Sequence, residues 1–266
     1  MNLWLLLDSG SRPPAFNMAL DEALLEAVAR LQKPVLRFYG WTEPAATFGY
    51  FQKYAEVERT TLLRPLVRRP TGGGIVPHDA DWTYSLVFPP GHEWHSLKAE
   101  ASYRRIHEWI QAAFTKLNVT TELAPSCKKS IPSLRRSQRA EALKSGSQPS
   151  TLNPQPGGQS LLTSAATSVL PGQCFTGHEK SDLLWHGRKI AGAAQRRNQL
   201  GLLIQGSVQP PPISLSPADW QKAMCDVGRV EFGVVWSDFT PDRTLLERAD
   251  SLVQQKYSQT GFITKR

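Results

Sequence analysis

Cysteine is scarce in this sequence. Cys127, Cys174 and Cys225 are an odd number, widely spaced and without a CxxC pair. That argues against a disulfide scaffold and a structural zinc site, and makes a reducing cytoplasm the expected home. Long apolar runs are missing as well. The first, Leu3 to Leu7, has no basic lead-in and ends at Asp8. Neither a signal peptide nor a membrane span of ~20 apolar residues is therefore expected. The 19 glycines and 20 prolines are too few and too scattered for a collagenous chain. Among 266 residues 40% are apolar, enough for one large core or two small ones and too many for wholesale disorder.

Basic residues, in contrast, are in excess: 31 Lys and Arg against 23 Asp and Glu, a net charge of +8. Their location decides what this means. Pro125 to Ser160 holds Lys128, Lys129, Arg135, Arg136, Arg139 and Lys144 against Glu141 alone. Most of the excess sits in one tract rich in Ser, Pro, Gly and Gln, which reads as a solvated loop and not as a nucleic-acid-binding face. Such charge can still steer an acidic protein partner.

The rest of the chain alternates strands and helices. Leu3–Leu7, Pro34–Tyr39, Ala46–Tyr50, Thr83–Phe88, Lys189–Gln195 and Gly201–Val208 read as strands. Asn17–Leu31 has apolar residues at helical spacing, with Asn17 as its expected N-cap and Asp21 and Glu22 at the positive end of the dipole. Ser96–Leu117 carries Tyr103, Ile106, Trp109, Ile110, Phe114 and Leu117 on one stripe. Ser216-Pro217 opens another helix, and Thr240-Pro241-Asp242 opens a last one reaching Lys256. Trp185-His186-Gly187-Arg188 reads as a hairpin turn after a short strand at Leu183–Trp185. The pattern points to an α+β (α/β) fold: mixed β-sheets flanked by helices in a single domain over residues 1–266, with a flexible insert at 125–170.

Three stretches carry chemistry. Arg68-Arg69-Pro70-Thr71-Gly72-Gly73-Gly74 joins two arginines to three glycines. Either it is a plain turn, or the missing side chains let backbone N–H groups approach a ligand. His78-Asp79 follows, as a structural pair or as a base. Lys189 stands in a strand of small residues, Gly187 to Gln195, where it either guards an edge or reaches a ligand carbonyl or phosphate. Cys174 lies where the insert rejoins the ordered pattern. A basic neighbour would activate it as a nucleophile, while Cys127 and Cys225 read as inert.

These residues, namely NMALDEALL at 17–25, RRPTGGGIVPHDADWTYSL at 68–86, GRKIAGAAQRR at 187–197 and GLLIQGS at 201–207, resemble the biotin/lipoate protein ligase and octanoyltransferase superfamily. The resemblance spans most of the chain outside the insert. It implies one catalytic domain whose pocket holds an octanoyl or lipoyl chain. Arg69, Thr71, Gly72, Gly73, Gly74, His78, Ala191 and Gly192 are the substrate-binding positions it implies, with Lys189 on the acyl carbonyl or an adenylate phosphate.

Two subclasses compete. Ligases activate free lipoate with ATP and Mg, and usually carry a further C-terminal domain, which is not expected here because the chain ends soon after its last helix. The cysteine-dependent octanoyltransferases have a Cys-Phe pair fifteen residues before the motif lysine, and Cys174 and Lys189 keep that spacing, with Asp182-Leu183 between them. Gly192-Ala193-Ala194 stands where Gly-Ser-Ala is common in the family. The resemblance therefore favours a cytoplasmic acyltransferase of lipoate biosynthesis and protein lipoylation. It would use no metal or cofactor, with Cys174 and Lys189 catalytic. Octanoyl-acyl carrier protein would be the donor. A lipoyl-carrier protein, either H protein or the E2 domain of a 2-oxo acid dehydrogenase, would be the acceptor. ATP-dependent lipoate ligation is the alternative, and a non-catalytic acyl-binding protein is the alternative of another class.

Overall fold

A computed structural model describes residues 2–125 and 177–265, all within one compact unit. The opening strand β1 (Asn2–Arg12) leads into α1 (Pro14–Leu31), β2 (Val35–Trp41) and β3 (Ala45–Phe48). Helix α2 (Tyr54–Thr60) and the short strands β4 (Leu66–Arg68) and β5 (Val76–His78) flank the glycine-rich loop. Then come β6 (Trp82–Phe88), α3 (Glu93–Ser96), α4 (Ala99–Lys116) and β7 (Glu122–Leu123). Description resumes before β8 (Leu183–Trp185), β9 (Arg188–Asn198) and β10 (Gly201–Val208). The chain continues through α5 (Pro217–Phe232), β11 (Val234–Asp238), α6 (Arg243–Leu252), a π-helical turn at Val253–Tyr257 and α7 (Thr260–Ile263).

The strands form two sheets. The larger has eight strands in the order β11-β1-β2-β6-β10-β9-β8-β7, and the smaller has three, β4-β3-β5. Both are mixed. β1 runs parallel to β11 and β2, and β6 pairs antiparallel with β2 and β10. In the small sheet β3 is parallel to β4 and antiparallel to β5.

Alternation along the central strands divides the large sheet into two faces. Phe38, Trp82, Tyr84, Leu86, Phe88, Leu202 and Ile204 pack against Ile106, Trp109, Ile110 and Phe114 of α4 and Trp220 of α5. On the other face Leu7, Val35, Val87 and Leu203 pack against Met18, Leu20, Leu24 and Val28 of α1, with Leu245 and Leu252 of α6. Local signals set the helix ends. Ser216 Oγ accepts the Asp219 N–H at 3.0 Å, and Asp242 Oδ1 accepts that of Leu245 at 2.8 Å. The hairpin turn expected between β8 and β9 is present. His186 and Gly187 have φ of 48° and 72°, the left-handed pair a tight turn of this kind requires.

Several expectations need correction. Helix α1 begins at Pro14, and its N-cap position is Pro13. Asn17 is buried and caps nothing there: its amide donates to Arg12 O and Gly40 O, and its Oδ1 accepts from Arg37 Nη2 at 2.6 Å. The helix expected at 96–117 starts at Ala99, after the short α3 that ends at Ser96, and the last helix, capped by Asp242 within the expected Thr240-Pro241-Asp242, changes to π-helical turns after Leu252. Elements α2, β4, β5, β7 and β11 had no clear sequence pattern. All but the first residue of the proposed insert lie outside the described residues. Among the described residues no helix is long and apolar enough to cross a membrane.

Candidate active site

A cavity lies on the α1 side of the large sheet, beneath the small sheet. Met18, Tyr39 and Gln205, all buried, line it where α1, β2 and β10 meet. Thr47, His78, Thr83 and Ser207 make one wall, and Lys189, Gly192 and Ala194 of β9 another, with Gly73 and Val76 over them.

A buried ion pair holds Tyr39 and Gln205. Arg37 Nη1 donates to Asp21 Oδ1 at 2.6 Å, with both side chains fully buried. The same carboxylate accepts from Ser85 Oγ at 2.7 Å and from Gln205 Nε2 at 2.7 Å. Gln205 Oε1 accepts the Thr71 hydroxyl at 2.7 Å, so the network runs from α1 through three central strands into the glycine loop. Burial, and then the Asp21 charge, push the Tyr39 phenol well above its ordinary pKa, so it stays a neutral donor to Asp21.

Both loop arginines hold backbone. Arg69 donates to Gly72 O at 2.6 Å and Gly74 O at 2.7 Å, curling its own loop, and its Nη1 reaches Thr47 Oγ1 at 3.3 Å. Arg68 donates to Tyr50 O, Gln52 O and Ile263 O, tying the C-terminal segment to the loop after β3. The loop comes so close to Gly49 that a Cβ there would lie 2.0 Å from Gly73 O.

Lys189 reaches the cavity because β9 is irregular. Leu183 pairs with Ala191 but Leu184 with Lys189, so Ile190 is an extra residue, packed with Ala191 in the aromatic core. Such a bulge re-aims a neighbouring side chain, here turning Lys189 to the cavity face. Its ammonium bonds to Asp182 Oδ2 at 2.7 Å, with both side chains 8% exposed. Its stem lies across Gly192, where a Cβ would meet Lys189 Cε at 2.8 Å and Nζ at 2.9 Å. Asp182 also accepts the Glu179 N–H at 2.7 Å, which fixes its carboxylate. His107 on α4 is buried nearby. Burial lowers its pKa to about 4, so it is neutral near pH 7.

His78 pairs with Asp81 (Nδ1 to Oδ2, 2.8 Å), and not with Asp79, which is exposed. Its Nε2 lies 2.8 Å from Thr47 Oγ1, and Trp41 stacks on the ring at 3.8 Å.

Of the positions named from the sequence, Arg69, Gly73, His78, Lys189 and Gly192 line the cavity. Thr71 stands behind it on Gln205, Gly72 and Gly74 accept from Arg69, and Ala191 is packed in the core on the other side of the sheet. Cys174 lies outside the described residues. His178, in the segment leading to β8, is exposed. Asp21, Arg37, Thr47, Asp81, Asp182, Gln205 and Ser207 were not anticipated as site residues. Among the described residues no group of three or more His, Cys, Asp or Glu could hold a metal ion.

The lipoyl protein ligase A/B catalytic domain model matches residues 13–209, which contain every cavity-lining residue named above. The chain belongs to this family. Among its relatives are the octanoyltransferases LipM of Halalkalibacterium halodurans, 34% identical over 213 residues, and of Bacillus subtilis, 35% identical over 212. The matches cover 78% and 77% of this chain. They cover 66% and 64% of those proteins, so the chain spans just under two thirds of their length. In fold the chain is similar to a lipoate protein ligase-like protein of T. acidophilum solved with bound lipoic acid (TM-score 0.72, 18% identity, 99% of each chain). It is also similar to lipoate-protein ligase A bound with ATP (TM-score 0.67, 19% identity, 99% of this chain and 98% of that one). These likenesses agree with the mixed α/β architecture expected of the family.

Proposed function

We propose that the chain is an octanoyltransferase that moves an octanoyl or lipoyl group from acyl carrier protein, through a Cys174 thioester, to a lysine of a lipoyl-carrier protein. The observation that carries this reading is Lys189. A buried ammonium is held by Asp182 across a glycine, on the wall of a cavity also lined by Met18, Tyr39 and Gln205. Octanoyltransferase relatives at about one-third identity support it, as does the fifteen-residue spacing from Cys174 to Lys189.

The chemistry proceeds in two balanced steps. The Cys174 thiolate attacks the donor thioester and the carrier thiolate leaves, so one thioester replaces another and no ATP is needed. The free acceptor amine then attacks the acyl-cysteine, the C–N bond forms, the C–S bond breaks, and the amine's proton ends on the leaving thiolate or in solvent. Each step passes through an oxyanion. The Lys189 ammonium supplies positive charge to it, and removing a comparable donor costs ~10²- to 10³-fold in rate.

Incubating the protein with octanoyl-acyl carrier protein should give a hydroxylamine-labile adduct that Cys174→Ser abolishes together with transfer. Full transfer by Cys174→Ser, with no labile adduct on the parent, overturns the covalent route. Pyrophosphate release that requires ATP and lipoate would replace it with ligation. Tight octanoate binding without turnover on any acceptor would make the chain a binding protein.

A further inference from the structure

We infer that Thr47, His78 and Asp81 form a proton relay that receives the proton of the acceptor amine. The inference rests on the acyl-transfer reading, because only amide formation on a lysine poses this demand. An amine with an ordinary pKa of ~10.4 arrives mostly protonated near neutral pH, and forming the amide releases protons that need an acceptor. Arg69 is a permanent cation and Lys189 is paired with Asp182, so neither is that acceptor. His78 is a cavity-lining group able to take a proton.

Its two ring nitrogens are differently engaged. A carboxylate only accepts, so the Nδ1 facing Asp81 at 2.8 Å carries the hydrogen. Nε2 is then the acceptor and receives the Thr47 hydroxyl at 2.8 Å. That hydroxyl lines the cavity. Its oxygen has two lone pairs, and the 3.3 Å bond from Arg69 Nη1 uses one, leaving one for an incoming N–H.

Asp81 makes the arrangement one-directional. Its side chain is fully buried, and its Oδ2 accepts from Ser207 at 2.6 Å and Thr83 at 3.1 Å besides His78. Its Oδ1 is buried with no hydrogen-bond partner among the described residues. The ion pair described for Asp81 is with His78, so its charge is balanced when His78 is an imidazolium. Stacking on Trp41, whose indole N–H donates to Thr83 Oγ1 at 2.8 Å, holds the ring in plane for both transfers. The other charged or titratable groups around it are Arg69 through Thr47, Lys189 on the same cavity and Tyr39 on β2.

The acceptor ammonium first loses one proton to solvent; as the free amine attacks, its second proton passes to Thr47 Oγ while the Thr47 proton passes to His78 Nε2. The C–N bond forms, the bond to the leaving group breaks, and the imidazolium later returns its proton to the departing thiolate or to solvent. A general base of this kind contributes ~10²- to 10⁴-fold.

The experiment is single-turnover amide formation on a lipoyl domain from pH 5.5 to 9, with octanoyl-acyl carrier protein and, separately, synthetic octanoyl-adenylate as donor. Thr47→Val, which keeps the side-chain shape, and His78→Gln should slow amide formation at pH 7 by at least about 10²-fold. Their rates should climb through high pH without the parent's plateau, and Thr47→Ser should restore the parent rate and profile. Thr47→Val at the parent rate with the parent profile overturns the relay. So does a loss in His78→Gln with the profile unchanged, together with a Thr47→Ser variant as slow as Thr47→Val, which marks a structural role. The adenylate arm bypasses the cysteine. Full transfer by Cys174→Ser from the carrier protein would therefore sink the covalent route, while the relay is still read on the adenylate.

Discussion

The two faces of the large sheet are made by alternate residues of the same strands, yet they differ in kind. In β6, Trp82, Tyr84, Leu86 and Phe88 look toward α4 and α5, whereas Thr83 and Ser85 face the opposite way. In β10, Leu202 and Ile204 join the aromatic face, and Gln205 and Ser207 the cavity face. One face is held by close packing. Trp4, Trp109 and Trp236 meet edge-on or stacked, and Tyr84 fills the space left by Gly206, its phenol pushed far up by burial. The other face places an Asp–Arg pair, a His–Asp pair and a lysine around a cavity. Buried polar groups cost free energy unless fully paired, so their concentration on one face marks where the chain needs oriented donors and charge.

That contrast can be broken from either side. Arg37→Met leaves Asp21 buried and unpaired, and Trp109→Ala empties a space in the aromatic core. Each should cost about 3–5 kcal/mol in chemical denaturation. Only the Arg37 variant should also raise the KM for the acyl donor, because it alone loosens Asp21 and with it the cavity-lining Tyr39 and Gln205. Equal kinetic damage from both would erase the distinction between the faces.

Gly192→Ala acts on the cavity face without touching the core. The new Cβ displaces the end of Lys189, and a shift of about 1 Å should slow transfer by about 10²-fold. The melting temperature should stay near that of the parent, since only a flexible chain end must move. A parent-like rate would mean that the position of Lys189 over this glycine has no catalytic weight.

His107 tests the border between the faces by pH. Its folded pKa is lowered by burial from the usual 6.5 to about 4, so the unfolded chain takes up a proton first as pH falls. Its contribution to stability is present above pH 6.5 and is lost between there and about 4. At pH 5 the loss should be about 2 kcal/mol relative to neutral pH. His107→Leu should flatten that part of the stability profile, and an unchanged profile would place the acid sensitivity elsewhere. The smallest effect belongs to a position remote from both faces. Ser216→Ala removes the N-cap of α5 and should cost about 1 kcal/mol with no change in transfer rate.

Much of the packing face was legible because its signals are local. The stripe on α4, the Ser216-Pro217 start and the His186-Gly187 turn each use neighbours in sequence. The cavity face was harder, because its partners are remote. Asp21 is bound by Arg37, Ser85 and Gln205, and Glu22 by Lys256 and Tyr257. Burial pushes the Glu22 carboxyl up, but hydrogen bonds from Lys256 and Tyr257 and the Lys256 and Arg196 charges together hold it below its usual range. Taken alone, Asp21 and Glu22 look like ordinary first-turn acids. The Gly-rich loop and Lys189 stood out by composition. The bulge at Ile190 that turns Lys189 inward, and the choice of Asp81 over Asp79 by His78, depend on strand register and leave no mark in a single sequence.

Mass spectrometry of a lipoyl-domain protein after incubation with this protein and octanoyl-acyl carrier protein, without ATP, tests the proposed function most directly. One octanoyl amide on a single lysine, lost when Lys189 is replaced by methionine, is the expected result. An acceptor that stays unmodified until ATP is supplied would contradict it.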